Sequence, residues 1–294
     1  MSKDDYISAV IIDDDDDIDI VNIKGSNINV INNVIDKPLI DKPLIDKPLI
    51  DKPLIDKPLI KEKKKKQEPL KIAFDLNNTI IEIGVDEAGR GPMFGRVYAG
   101  VAILPKDDTY DHLSMKDSKK FHSKKKIEEV AEYIKENAIA WAVEYEDESV
   151  IDDINILQAT QSAMHKGIKK VLKQLETKNN ENINYDNVLL LVDGNYFKPF
   201  SILNKNKTKS INIQHYTIEG GDNKYTSIAA ASILAKVERD KYIDQLCNEN
   251  PELIEKYGIN SNKGYGSKKH MDGIKQYGIT KWHRKTFGIC RDYC

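Results

Sequence analysis

Ile80-Ile81-Glu82-Ile83-Gly84-Val85-Asp86-Glu87-Ala88-Gly89-Arg90-Gly91-Pro92 is the stretch whose reading decides the fold. Its first half is rich in β-branched residues and predicts a strand over Ile80–Asp86, while its second half is a glycine-dominated turn. The strand ends on two adjacent carboxylates. Consecutive strand residues face opposite sides of a sheet, but a strand end that turns through glycine can swing both toward one point. Val97–Leu104 is a second β-branched run, and the two read as adjacent strands.

Further along, Lys124–Asn137 has helical spacing, Ile139–Tyr145 reads as a third strand, and Ser149–Leu175 is a long helical region with a break near Asn155. Val188–Val192 is a continuous apolar run, as expected of a central strand covered on both faces. Ile211–Ile218 alternates as another strand. Ser227–Leu246 predicts a helix in which Ala229, Ala230, Ala231 and Ala235 permit close packing. Shorter helical pieces follow at Pro251–Tyr257 and Ser267–Tyr277. Strands first, then alternating helix and strand, predict an α/β domain over residues 70–294. It has a mixed central sheet flanked by helices and a helical C-terminal extension from about residue 249.

Residues 1–68 read differently. Asp-Lys-Pro-Leu-Ile occurs five times without error from Asp36 to Ile60. A proline in every unit removes backbone donors and forces each preceding lysine into extended conformations, so a disordered low-complexity tail is expected. Asp13–Asp17 is an acidic run, Ile18–Ile35 has the composition of an isolated hairpin, and Lys61–Lys66 is a basic run with Glu62 its one acid. That basic run reads as a nuclear-localisation signal, a nucleic-acid arm or a solvated linker.

Net charge is −2 over 294 residues, but residues 1–60 hold 7 Lys against 13 Asp. The rest of the chain is therefore mildly basic, which is weak support for nucleic acid. The three cysteines, Cys247, Cys290 and Cys294, form no disulfide framework and no tetrahedral zinc set, which fits a reducing compartment. No leader pattern or apolar run of about 20 residues is present. The expected setting is intracellular and cytoplasmic, or nuclear through Lys61–Lys66, with no membrane partner.

The chemistry lies in acids beside glycines. Asp86 and Glu87 end the first strand, Asp193 ends the apolar run and precedes Gly194, and Asp222 follows Gly220-Gly221 just before the alanine-rich helix. Any one of them alone would pass as a turn former. Together they fall where α/β sheets assemble sites, at strand ends and helix starts. Oxygen ligands without His or Cys suit Mg²⁺ or Mn²⁺ rather than zinc.

These blocks resemble the type 2 ribonucleases H, the ribonuclease HII family. The matching residues are Gly84-Val85-Asp86-Glu87-Ala88-Gly89-Arg90-Gly91-Pro92, Asp117-Ser118-Lys119-Lys120, Val192-Asp193-Gly194-Asn195, Gly221-Asp222 leading into Ile228–Val237, Lys263-Gly264-Tyr265-Gly266, and His283-Arg284. They keep the family's order from Ile81 to Phe287, and the Val-Asp-Gly-Asn form resembles bacterial members. The resemblance implies a ribonuclease H fold and hydrolysis of RNA paired with DNA, or of single ribonucleotides embedded in duplex DNA, leaving 5′-phosphate and 3′-hydroxyl ends. It implies Asp86, Glu87, Asp193 and Asp222 as catalytic acids holding two divalent cations. It also implies Gly89, Arg90 and Gly91 as a ribose-reading loop, and Tyr265 as the ring against the nucleotide. Lys119 and Lys236 are candidate phosphate contacts.

Arg96 departs from the family, which usually has proline there; arginine at that place would add a phosphate contact or change the loop. A junction resolvase on the same fold is the competing nuclease reading. It would need no 2′-hydroxyl reader, which the Gly-Arg-Gly loop and Tyr265 supply. An inactive hybrid-binding protein is disfavoured by the presence of all four acids, and a type 3 ribonuclease H by the lack of a folded N-terminal module. A monomer is expected, and the sequence names no clamp or other replication partner.

Overall fold

The computed structural model describes residues 6–10, 20–24, 69–77, 79–179, 183–203, 208 and 210–294. Strands β1 (Tyr6–Val10) and β2 (Ile20–Lys24) form a two-stranded sheet of their own. The repeats and the lysine run, on which most of the tail expectation falls, lie outside the described residues.

From Pro69 onward the chain runs β3 (Ile81–Ala88), β4 (Val97–Ile103), α1 (Lys124–Asn137), β5 (Ala140–Glu146), α2 (Glu148–Asn179) and β6 (Val188–Asp193). It continues through β7 (Ser201–Leu203), β8 (Ser210–Asn212), β9 (Gln214–Ile218), α3 (Thr226–Glu249), α4 (Glu252–Tyr257), α5 (Ile259–Asn262) and α6 (Lys268–Tyr277). A five-stranded sheet has the order β5-β4-β3-β6-β9. The pairs β3–β4 and β4–β5 are antiparallel, while β3–β6 and β6–β9 are parallel. The sheet is mixed, as expected.

Alternation along β3 assigns its two faces. Ile83 and Val85 join Val101, Val192, Ile168 and Leu172 in the core under α2. On the opposite face a Cβ at Gly84 would fall 2.2 Å from the Ser227 carbonyl carbon, and one at Gly100 would fall 2.0 Å from the Ala231 carbonyl oxygen. The backbone of α3 therefore lies directly on β3 and β4. Only glycine on the strands, and small residues such as Ala229, Ala230 and Ala231 on the helix, allow that approach. This contact places the start of α3 against the carboxylate end of β3.

The break in α2 is at Asn155, whose φ of 68° leaves the helical region; its side chain then caps the second half by accepting from Leu157 and Gln158 N–H. One expected strand is divided. Ile211–Ile218 splits at Ile213, which is buried and whose N–H donates to the Phe200 carbonyl. Before it, β8 pairs with β7 in a small hairpin; after it, β9 joins the main sheet. Alternation persists through both pieces, so the change of partner leaves no mark in the hydrophobic pattern. Among the described residues no helix is long and apolar enough to cross a membrane. Cys247 and Cys290 are buried thiols and Cys294 an exposed one.

Candidate active site

Parallel pairing brings the first two acids together. The β3–β6 ladder runs through Val85 and Val192, so Asp86 and Asp193 come next in register. Asp193 Oδ1 accepts from Gly221 N–H at 2.6 Å, tying the end of β6 to the turn that carries Asp222. That turn, Gly221–Asn223, leads into α3 and begins from Gly220 in the left-handed region at φ 62°. Asp86 lies on the α3 face of β3, where Ser232 hydrogen-bonds to it, and its Oδ1 also accepts from Glu87 N–H at 2.7 Å.

Crowding shows in the acidities. Burial first, then the charges of Glu87 and Asp193, push the Asp86 carboxyl well above the ordinary aspartate value. Burial also raises Glu87, against the pull of Arg90, whose Nη1 is 3.2 Å from Glu87 Oε1. Asp222 is raised by burial and by the nearby Asp117 and Asp193 carboxylates. Burial works against the Lys119 ammonium, yet Asp117, Asp222, Asp86 and Asp193 hold it above the usual lysine value. Charge couplings thus link the four predicted acids into one neighbourhood, with Lys119 beside them.

A cavity of 390 Å³ opens next to them. Gly89, Arg90, Gly91, Lys119, Lys236 and Tyr265 all line it, together with Glu87. Gly89 has φ 92°, and a Cβ there would collide with the Arg239 side chain at 2.2 Å, so glycine is required. Tyr265 is half exposed, its ring free on the cavity side. Lys236 pairs with Asp240 one turn along α3.

Several contributors escape sequence reasoning. Asp117 is a fifth acid: Asn223 Nδ2 donates to Asp117 Oδ2 at 3.2 Å and to Asp222 Oδ1 at 2.9 Å, joining the Asp117-Ser118-Lys119-Lys120 turn to the Asp222 turn. Ser232 contacts Asp86 and, at 3.0 Å, Ser118. Arg239 and Arg284 are buried against backbone carbonyls near the Gly89–Gly91 loop. Arg284 belongs to the His283-Arg284 motif, and burial together with the nearby Arg239 charge lowers it to about 9. Arg96 settles between aromatic rings, its guanidinium carbon 4.0 Å from the Tyr145 centroid and 4.4 Å from that of Tyr242. Of its two expected roles, this stacking fits the altered loop, because the cation is spent on aromatic faces.

As they stand, no three ligating side chains among the described residues converge tightly enough to hold a metal. The donor set still fits a hard divalent cation: it is all carboxylate oxygen, and three of its members are raised by burial and neighbouring charge, which a bound cation would relieve.

A mixed sheet with acids at adjoining strand ends beside a glycine loop defines a ribonuclease H-like protein. The architecture is similar to the crystal structure of ribonuclease H2 from Pyrococcus horikoshii OT3, with a TM-score of 0.53 at 22% identity over 73% of this chain and 97% of that one. Residues 83–290 match the family model of ribonuclease HII. Ribonuclease HII of Bacteroides thetaiotaomicron is 41% identical over 217 residues, 74% of this chain and 94% of that protein. That of Endomicrobium trichonymphae is 42% identical over 209 residues, 71% of this chain and 86% of that protein. The chain belongs to the ribonuclease HII family.

Proposed function

We propose that this chain is a divalent-cation-dependent endoribonuclease that cuts the RNA strand of RNA–DNA hybrids and incises at ribonucleotides embedded in duplex DNA, leaving 5′-phosphate and 3′-hydroxyl ends. The observation that carries this reading is a set of four carboxylates from three separate elements, linked by their charges, whose member Glu87 lines one cavity with the glycine loop and an exposed tyrosine. Asp86, Glu87, Asp193 and Asp222 would hold two Mg²⁺ or Mn²⁺ ions, which when bound supply charge neutralisation, activation of the attacking water and stabilisation of the leaving oxygen.

The remaining work falls to the chain's own residues. Gly89, Arg90 and Gly91 offer close backbone approach to the sugar, where the 2′-hydroxyl, both donor and acceptor, distinguishes RNA from DNA. Tyr265 packs on the nucleotide at the cleavage point. Lys119 and Lys236, which line the cavity, would contact phosphates, and such contacts fix register without reading sequence. The three free thiols support an intracellular setting.

Cleavage of a DNA duplex containing one ribonucleotide, beside an all-RNA–DNA hybrid and an all-DNA duplex, tests the reading with Mg²⁺, Mn²⁺ and chelator. Both ribonucleotide substrates should be cut only with a cation, and the all-DNA duplex not at all. Cutting of all three alike, or in chelator, would remove the ribose reader or the metal from the account. On the single-ribonucleotide duplex, Tyr265→Ala should lower kcat by about ten- to a hundredfold, because stacking is worth about 1–3 kcal/mol, and leave duplex binding nearly unchanged. Wild-type turnover in that variant would reduce Tyr265 to an ordinary loop aromatic.

A further inference from the structure

The Gly89-Arg90-Gly91 loop and Tyr265 are far apart in the chain, yet a Cβ on Gly91 would lie 3.4 Å from Tyr265 Cε1. Both are held from beneath by one buried dipeptide. Arg284, fully buried, donates from Nη2 to the Gly89 carbonyl at 2.7 Å and from Nη1 to the carbonyls of Arg90 at 3.0 Å and Pro92 at 2.8 Å. Its Nε donates to the Gly95 carbonyl at 2.8 Å. One planar group thus grips four carbonyls, two in the loop and two in the residues just after it, and a guanidinium fork tolerates little displacement of its acceptors.

His283 reaches the other side. Its Nδ1 accepts from Thr280 N–H at 2.9 Å, so its proton is on Nε2. That proton points at Nε2 of His270, 3.1 Å away, which must then accept. His270 is left protonated on Nδ1 and donates to the Tyr265 carbonyl at 2.9 Å. A backbone N–H can only donate and a carbonyl only accept, so this is the arrangement of neutral rings that satisfies all four nitrogens. The dipeptide is itself anchored: Arg284 N–H donates to the Met93 carbonyl at 2.8 Å, and Asp152 on α2 accepts from Lys285 and Thr286 N–H at 2.8 and 2.9 Å.

We propose that His283-Arg284 is a buried brace that sets the spacing between the Gly89-Arg90-Gly91 loop and Tyr265, so that ribose recognition is tuned from a segment that never touches substrate. The proposal rests on the ribose-reading roles assigned to that loop and to Tyr265. Within it His270, His283 and Arg284 are positioning residues, and their effect should appear in turnover rather than in affinity.

His270→Leu and His270→Gln, each in the full-length wild type and in Tyr265→Ala, test the brace on the single-ribonucleotide duplex with thermal midpoints recorded alongside. His270→Leu breaks both contacts and should lower kcat about tenfold or more with little change in KM, since small misplacements at a reacting centre are costly. His270→Gln can accept from His283 and donate to Tyr265, and should recover most of that loss. In the Tyr265→Ala background His270→Leu should do nothing further, because the ring it positions is gone. Should the leucine variant not fold, His270→Asn, which keeps a donor for Tyr265 and loses His283, carries the same comparison. An equal loss in both backgrounds, or a folded variant with wild-type kcat beside an impaired Tyr265→Ala, would overturn the brace alone. An unimpaired Tyr265→Ala would overturn the role of Tyr265 and the brace with it.

Discussion

At one end of the cleft Asp86 is buried against Glu87 and Asp193, and their charges are met by Arg90 and Lys119 from the side rather than by close partners for each acid. At the other end Arg239 and Arg284 are just as buried, among the described residues neither pairs with a carboxylate, and both meet backbone carbonyls instead. The two ends divide the labour of a hydrolase. Like charges held together by the sheet register strain the protein, a strain that bound cations would relieve. Cations capped by carbonyl dipoles are satisfied within the fold, and they lock the loops that must stay in place. Substitutions at the two ends should therefore move activity and stability in different directions.

The largest effect is expected at the acid end. Asp193→Asn should abolish detectable cleavage of a single-ribonucleotide duplex while the thermal midpoint in chelator holds or rises, because a charge leaves a crowded cluster. Near-normal turnover with Mg²⁺ would take Asp193 out of the site. Arg284→Met reverses the pattern. Four carbonyls lose their donor, and each buried group left unsatisfied costs about 1–3 kcal/mol, so denaturant titration should show a large fall in stability. A variant as stable as wild type would mean that water or a rearranged loop replaces the guanidinium.

The smallest effect is expected from removing residues 1–68, which should leave turnover on short oligonucleotides and the thermal midpoint unchanged. The cut falls just short of a packed segment: Lys71 N–H donates to the Lys224 carbonyl and Thr226 N–H to that of Lys71, while Glu82 accepts from Phe74 and Asp75 N–H. A deletion extended through Asp75 should lower the midpoint where the shorter one does not. Equal loss from both would mean that the tail itself packs on the domain.

The strands, the break at Asn155 and the four acids were legible because each rests on local pattern: β-branched runs, a cap-forming residue, carboxylates beside glycine. The division of Ile211–Ile218 was hidden because alternation continues through a change of partner strand. Asp117 was visible only as part of a motif and Asn223 not at all, because their contact joins turns more than a hundred positions apart. Arg96 could be marked as unusual but not explained, since Tyr145 and Tyr242, which hold it, lie on β5 and α3. That Arg239 and Arg284 face carbonyls carries no sequence signal, beyond the place of Arg284 in the His283-Arg284 motif. Their partners are main-chain atoms, which every residue has.

The claim that the acid end is strained until cations bind can be measured on one pair of proteins, wild type and Asp86→Asn. The Asp86 carboxyl is raised in the folded protein, so its contribution to stability is full below the unfolded value of about 3.9 and is lost as pH rises through the folded value. Thermal midpoints in chelator, followed from about pH 4 to neutrality, should show the variant overtaking wild type as pH rises. Each kcal/mol relieved is worth about 2–4 °C in a domain of this size. Mg²⁺ or Mn²⁺ should then raise the wild-type midpoint more than the variant's and close the gap. A wild type at least as stable as Asp86→Asn in chelator throughout, with equal gains on adding cation, would contradict the account.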